Sequence, residues 1–319
     1  MNITDLMNNI DPDTQKRVEK AKNSYNRLIR DAIRFESRLS LNSGQSDNFS
    51  EDTSIKIPVR LEAGYPDWLE GFKVPPQYRI AAILSEIRPQ LVQLKDSAYE
   101  VTTYIVGLQD EPELLEFVGG GICYASKEAE QLLSLVDQYD LVRELLNINQ
   151  DILGLYRSTT PWIYRHGIDL HDPHFNSEGG EVLLYWAVIG IIAPRLGVSI
   201  EALTAVVLTH ELAHGYTQAG FDIDGNNWPM EAFFHSETDL IEGLAQYYTE
   251  RVLQKLDHRI TGACEAYKRL LEKQSGPYRR HLHWTQELQA SPEQVRQALL
   301  RVRRHEPVLA EEFEHHLKP

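Results

Sequence analysis

The chain of 319 residues is long enough for one large domain or two with a sizeable buried core. Its net charge of −15 argues against nucleic acid or an anionic membrane as partner. Two cysteines, Cys123 and Cys264, spell no disulfide framework. MNITDLMNNIDPD carries no signal-peptide pattern, and the longest apolar run, from Val182 to Ala193, is too short to span a bilayer, so a cytoplasmic chain is expected.

Residues 11–41 read as an amphipathic helix, with Asp11 able to cap it and Pro12 suited to its first turn. Val18, Ala21, Tyr25, Leu28, Ala32, Phe35 and Leu39 recur at alternating steps of three and four, a heptad seam. Such a seam packs on its own domain or makes a coiled-coil-like contact with a partner through residues 18–39. Three heptads are near the minimum for the latter, which favours the former. The polar NSGQSDNFSEDTS, residues 42–54, reads as a flexible loop and a boundary.

Residues 55–159 read as a helical region. Residues 55–74 are irregular between Pro58 and Pro66. A helix begins at Pro76 and runs through Ile80, Ile83, Leu84 and Ile87, with a break or kink at Pro89 and a continuation toward Leu108. Gly119, Gly120 and Gly121 lack the flanks of a phosphate loop and read as a connection between helices. From Ser126 a long helix is expected through Leu132, Val136, Tyr139, Val142, Leu146 and Tyr156.

Residues 160–319 read as a separate domain, and the whole chain as α+β and predominantly α-helical. WIYRHGIDL and EVLLYW, separated by the turn-rich HDPHFNSEGG, suggest a small antiparallel sheet. His171 and His174 in that loop read as solvated side chains. Ser199 can cap the helix that follows, Leu203, Val206, Val207 and Leu208 supply its buried face, and Gly220 can stop it. Within it lies HELAH, residues 210–214. His210 and His214 are four apart, so both imidazoles leave the same helical face and can hold one Zn²⁺. Glu211 lies beside that metal, where it can take a proton from a zinc-bound water.

A third ligand is needed. Ser236 and Asp239 look like a capping box opening the next helix, on which Glu242 is flanked by Leu240, Ile241, Leu244 and Ala245. A carboxylate on the inward side of a helix is expensive unless paired or metal-bound. Competing candidates are Glu237 and Asp239, in the opening turn where acids serve the helix dipole, and His235, which precedes the helix. Elimination favours Glu242. Gly243 beside it would allow close approach of the two helices. Asp222 to Gly225 reads as a turn, and Ser291 with Gln294 as a capping box with Pro292 at the first helical position.

HELAHGYTQAG followed by DLIEGLAQYYTE resembles the gluzincin group of zinc metallopeptidases, the thermolysin-like and aminopeptidase-like proteases, over about residues 180–256. The resemblance implies a zincin-like domain with a small sheet beside the HELAH helix. It implies His210, His214 and Glu242 as zinc ligands, Glu211 as general base, and a peptide or protein as substrate. Two departures stand out. The group often has an acid four residues after the ligand glutamate, orienting a zinc histidine, and this chain has Gln246. The Gly-Ala-Met-Glu-Asn signature of aminopeptidases is missing.

By the same resemblance, the run from Glu181 to Trp186 is expected along the cleft, pairing with an extended substrate, its alternatives being a buried strand or a helix start. A second donor for the oxyanion is expected downstream of Glu242. The cluster from Tyr278 to Trp284 offers Tyr278 or His283, with Tyr247 next in line. Rivals to the peptidase reading are a zinc-binding scaffold without turnover and a deformylase-like hydrolase with Cys123 as ligand.

Overall fold

The structure, a computed structural model, describes residues 10–42, 55–62, 64–66, 72–105, 112–148, 152–158 and 180–317, with residues 6 and 69 singly. Most of the described chain is helical, and three short strands make one sheet: β1 (Val59–Glu62), β2 (Gly154–Ser158) and β3 (Gly180–Tyr185). Their order is β1-β3-β2. β1 runs parallel to β3, with Val59 opposite Val182, whereas β2 is antiparallel to it, with Leu155 opposite Leu183.

The expected antiparallel sheet is therefore mixed. Two of its strands come from residues read as irregular, 59–62, or helical, 154–158. Each is too short to display its period-two alternation against the helical pattern around it. The segment WIYRHGIDL and all of HDPHFNSEGG but its last residue, Gly180, lie outside the described residues, His171 and His174 among them, as do 43–54 of the expected loop.

The chain forms two compact units, Met1–Asn8 with Trp68–Ile148 and Asn9–Asp67 with Asn149–Pro319. The first holds α2 (Pro76–Glu86), α3 (Arg88–Ile105), α4 (Pro112–Gln138) and α5 (Leu141–Ile148). Pro89 falls in the first turn of α3, where its missing N–H does no harm. The glycine triplet is inside α4, so it is not a connection between helices. Added Cβ atoms there would meet nothing, and nothing in the structure requires glycine at these positions. The helix carries on because good helix formers flank the triplet on both sides. The helix expected from Ser126 to Tyr156 ends at Gln138, restarts as α5 and stops before β2.

The second unit begins with α1 (Thr14–Ser37), which packs along α7 (Ile200–Ala219). The buried stripe of α1 is Val18, Ala21, Ile29, Ala32 and Ile33, while Phe35 is exposed. A straight helix drifts about 20° per heptad from a 3.5-residue repeat, so the seam read from the sequence leaves the buried face at Phe35, while Leu39, past the end of the helix, is buried. Phe35 instead lies under the Lys255 ammonium, 3.0 Å from the ring centre. Arg17 grips Glu201 through Nε and Nη2 at 2.8 and 2.7 Å, which ties the start of α1 to the start of α7.

β3 runs straight into α6 (Trp186–Arg195), whose residues from Ala187 to Ala193 are all buried. After α7 come α8 (Met230–His235), α9 (Thr238–Leu256) and α10 (Ala263–Lys273). A chain of single turns, Gly276–Arg279, Arg280–Leu282 and His283–Glu287, leads to α11 (Pro292–Val302) and α12 (Ala310–His315). Ser199 caps α7 by accepting the Ala202 N–H at 3.1 Å, and the Ser291–Gln294 box closes reciprocally. Ser236 does not cap α9. Its hydroxyl donates to the Ala232 carbonyl, and Glu237 holds the cap position. Among the described residues no helix is long and apolar enough to cross a membrane.

Candidate metal centre

Helix α7 is buried from Ala202 to Ala219, so its polar side chains must find partners inside the unit. Gln218 and Thr209 do so with protein oxygens. His210 and His214 do so with α9. His210 Nε2 is 3.1 Å from Glu242 Oε2 and 3.1 Å from His214 Nε2, and His214 Nε2 is 3.5 Å from the same carboxylate oxygen. All three residues are buried, and their ligand atoms lie within 4.8 Å of one another.

That spacing fits a metal. Four ligands about 2.0–2.1 Å from a tetrahedral zinc are separated by about 3.3 Å. Two imidazole nitrogens and one carboxylate oxygen facing a common point leave room there for a cation. Burial pushes His210 toward its neutral form, the one that ligates, although the bond to Glu242 opposes it. Burial alone would raise the Glu242 carboxyl, but the His214 and His210 rings hold it well below the usual carboxylate range. The group includes no cysteine, and Cys123 and Cys264 are free thiols.

The rival ligands of α9 are elsewhere. Glu237 accepts the Ala310 N–H at 2.7 Å, Asp239 faces Arg280 at 3.9 Å, and His235 is exposed and pairs with the Glu231 carbonyl. Gly243 does not serve the contact between α9 and α7. A Cβ there would meet the Trp284 ring at 2.6 Å, so the glycine admits the buried indole. The glycine that governs approach to the HELAH helix is Gly154 on β2, where a Cβ would meet Val207 at 2.7 Å and Glu211 at 2.9 Å. It escaped the sequence reading because it lies outside every motif.

Two hollows flank the group, and Glu211 lines both. On the His210 side a pocket of about 20 Å³ is walled by Leu153, Val206, Val207, Leu270, Gln246 and Gln274. Here the ring of Tyr278 stacks on His210, with centres 5.4 Å apart and planes 20° apart. Among the described residues His210 Nδ1 and Gln246 Oε1 are both buried without a hydrogen-bond partner, while Gln246 Nε2 donates to Gln274 Oε1 at 3.3 Å. On the His214 side a cleft of about 460 Å³ is lined by Leu155, Tyr156 and Arg157 of β2, Phe233 and Phe234 of α8, and Thr238 and Ile241 of α9.

β3 is central and buried at every position, so the run from Glu181 to Trp186 is not an edge beside the cleft. Glu181 to Tyr185 are strand and Trp186 opens α6, and the two are hard to separate in sequence because a both-faces-covered strand and a buried helix share one continuous apolar pattern. The strand at the cleft is β2. Of the candidate donors, Tyr278 joins the site. His283 pairs with Glu287 at 2.9 Å and faces Glu314 at 3.9 Å. Tyr247 and Tyr248 are buried and line neither hollow. Comparison of the chain with protein-family models, curated proteins and solved structures finds no match.

Proposed function

We propose that this chain is a zinc-dependent peptide hydrolase of gluzincin type, with a zincin-like catalytic domain. The observation that carries the reading is the convergence of His210, His214 and Glu242 at ligand-to-ligand spacing beneath a cleft that Glu211 also lines. The antiparallel strand β2 lying over the HELAH helix supports the domain assignment. A bound zinc would supply a water of lowered pKa and polarise the scissile carbonyl.

The chain's own residues do the rest. His210 and His214 would hold the metal through Nε2 and Glu242 through Oε2. Glu211, between the two hollows, takes the proton of the attacking water and returns it to the leaving amine. We assign the donor to the developing oxyanion to Tyr278 because, of the candidates, it alone is placed against the cluster, its ring stacked on His210. Gln246 and His210 line the same closed pocket, and a bond from His210 Nδ1 to the Gln246 carbonyl would orient the ring. An extended substrate would pair with β2, whose outer edge carries no strand among the described residues.

Glu211→Gln tests the reading. The variant is expected to bind zinc as the parent does and to lose at least a hundredfold in peptide hydrolysis. Near-full activity would remove Glu211 from the mechanism. Stoichiometric zinc with no cleavage of any peptide by the wild type would favour the scaffold without turnover.

A further inference from the structure

The cleft beside His214 has two unlike walls. One is aromatic. Phe234 is 44% exposed although it lines a cleft, and it stacks on Tyr156 with ring centres 6.3 Å apart. Tyr156 is itself fixed, because its hydroxyl donates to Gln218 Oε1 at 2.7 Å and the Gln218 amide donates to the Trp228 carbonyl. Phe233 closes behind Phe234, and the half-buried Ile241 and Leu155 complete an apolar surface. An aromatic face held open toward a cleft is a place for another apolar side chain.

The other wall is cationic. Arg157 follows Tyr156 on β2 and sits opposite Glu181 of β3 in the sheet register. Its Nε and Nη2 both donate to Glu181 Oε1, at 2.9 and 2.7 Å. Arg60 of β1 reaches the other oxygen, Oε2, at 3.3 Å. The Glu181 carboxylate is buried and fully engaged, so two guanidinium groups share one negative charge. A net positive charge therefore remains at this corner of a chain whose total is −15. Arg157 stays half exposed, and its Nη1 has no partner among the described residues. Glu181 holds the guanidinium still, so a ligand carboxylate meets a donor that is already oriented.

We propose that this cleft selects an acidic peptide. An apolar, preferably aromatic, side chain lies against Phe234 and Tyr156, and a carboxylate nearby on the same segment pairs with Arg157. The inference rests on the peptidase reading and names its substrate class, with Arg157 as the specificity-determining residue. Surface charge alone argues the other way, since a chain this acidic would attract basic peptides at long range. Of the two arginines only Arg157 lines the cleft, whose other charged residues are Glu211 and Glu242 at the histidine cluster, and it reverses that preference at the β2 wall.

Binding tests this without turnover. Fluorescein-labelled octapeptides with one Phe among alanines, and Glu, Gln or Lys at each other position in turn, are titrated by anisotropy against the full-length Glu211→Gln protein. The best Glu peptide is expected to bind about tenfold tighter than its Lys counterpart, since the half-exposed guanidinium attracts the charge of one and repels that of the other. Arg157→Gln should bring that ratio near one, Arg157→Lys should keep its sign, and Arg157→Met provides a second neutral variant whose fold is checked by circular dichroism. No discrimination in the parent, or the same discrimination in both neutral variants, overturns the proposal. Cleavage of the same peptides by wild type is scored separately. Hydrolysis without Glu preference sinks only this inference, whereas Glu-selective binding without hydrolysis sinks only the peptidase reading.

Discussion

His210 and His214 are one helical turn apart, yet they face different surroundings. His210 lies under the Tyr278 ring against a pocket of about 20 Å³ that has room for one water molecule. His214 meets Phe233 edge-on at the floor of a cleft of about 460 Å³. The difference divides the labour of the site. The closed side is built to hold ligand geometry, because every wall is packed. The open side presents the exposed Phe234 and the half-exposed Arg157 to its cleft, the features on which the proposed peptide site rests.

The comparison breaks most sharply at Tyr278. Tyr278→Phe keeps the ring stacked on His210 and removes only the hydroxyl, so kcat is expected to fall about a hundredfold with zinc content unchanged. His283→Ala is expected to leave kcat within about twofold. If His283→Ala is the slower variant, the donor assignment is wrong.

Gln246 sharpens the closed side. Gln246→Leu removes the amide from the pocket it shares with His210 and should weaken zinc binding about tenfold in a chelator competition, whereas Gln246→Glu should match or exceed the parent. Equal affinity in all three proteins would mean that Gln246 does not orient His210. On the open side, Phe234→Ala should raise KM about fivefold for peptides bearing Phe, with kcat little changed, since it removes apolar contact made equally in ground and transition states. A fall in kcat with unchanged KM would place Phe234 in the chemistry instead.

The packing behind the closed side carries a pH signature. His281 is fully buried, with Nε2 2.9 Å from the Tyr267 hydroxyl, and burial lowers its pKa from 6.5 to about 4. The unfolded chain takes up this proton near pH 6.5 and the folded chain only near 4. Stability should therefore be flat above about pH 6.5 and fall as pH drops toward 4, by about 3 kcal/mol from this residue. Urea melts of wild type and His281→Gln across that window check it. The variant should lose this part of the slope, and parallel curves would assign the slope to other groups.

How much of this was legible follows from how each part is encoded. The ligand set sits on two long helices, where i,i+4 spacing and flanking apolar residues state which side chains share a face. Hence His210, His214 and Glu242 are readable from spacing and flanks, and so are the caps at Ser199 and Ser291. The sheet is not, because β1 and β2 are four and five residues long and depend on partners distant in the chain. The sequence accordingly points to β3 as the substrate edge, whose apolar run is strong because it is central. The glycines teach the same lesson. Gly243 and Gly154 each make room for a side chain, Trp284 and Glu211, that no local pattern points to. Tyr278 was legible only as one of several donors, since ring stacking on His210 is a tertiary contact.

The central claim is that His210, His214 and Glu242 together hold one zinc ion. X-ray absorption at the zinc edge of the full-length protein, loaded with one equivalent, tests it most directly. The expected result is a four-coordinate shell of nitrogen and oxygen at about 2.0–2.1 Å with multiple scattering from two imidazoles, of which one is lost in His214→Ala. A sulfur scatterer at about 2.3 Å, or an unchanged imidazole count in that variant, would contradict it.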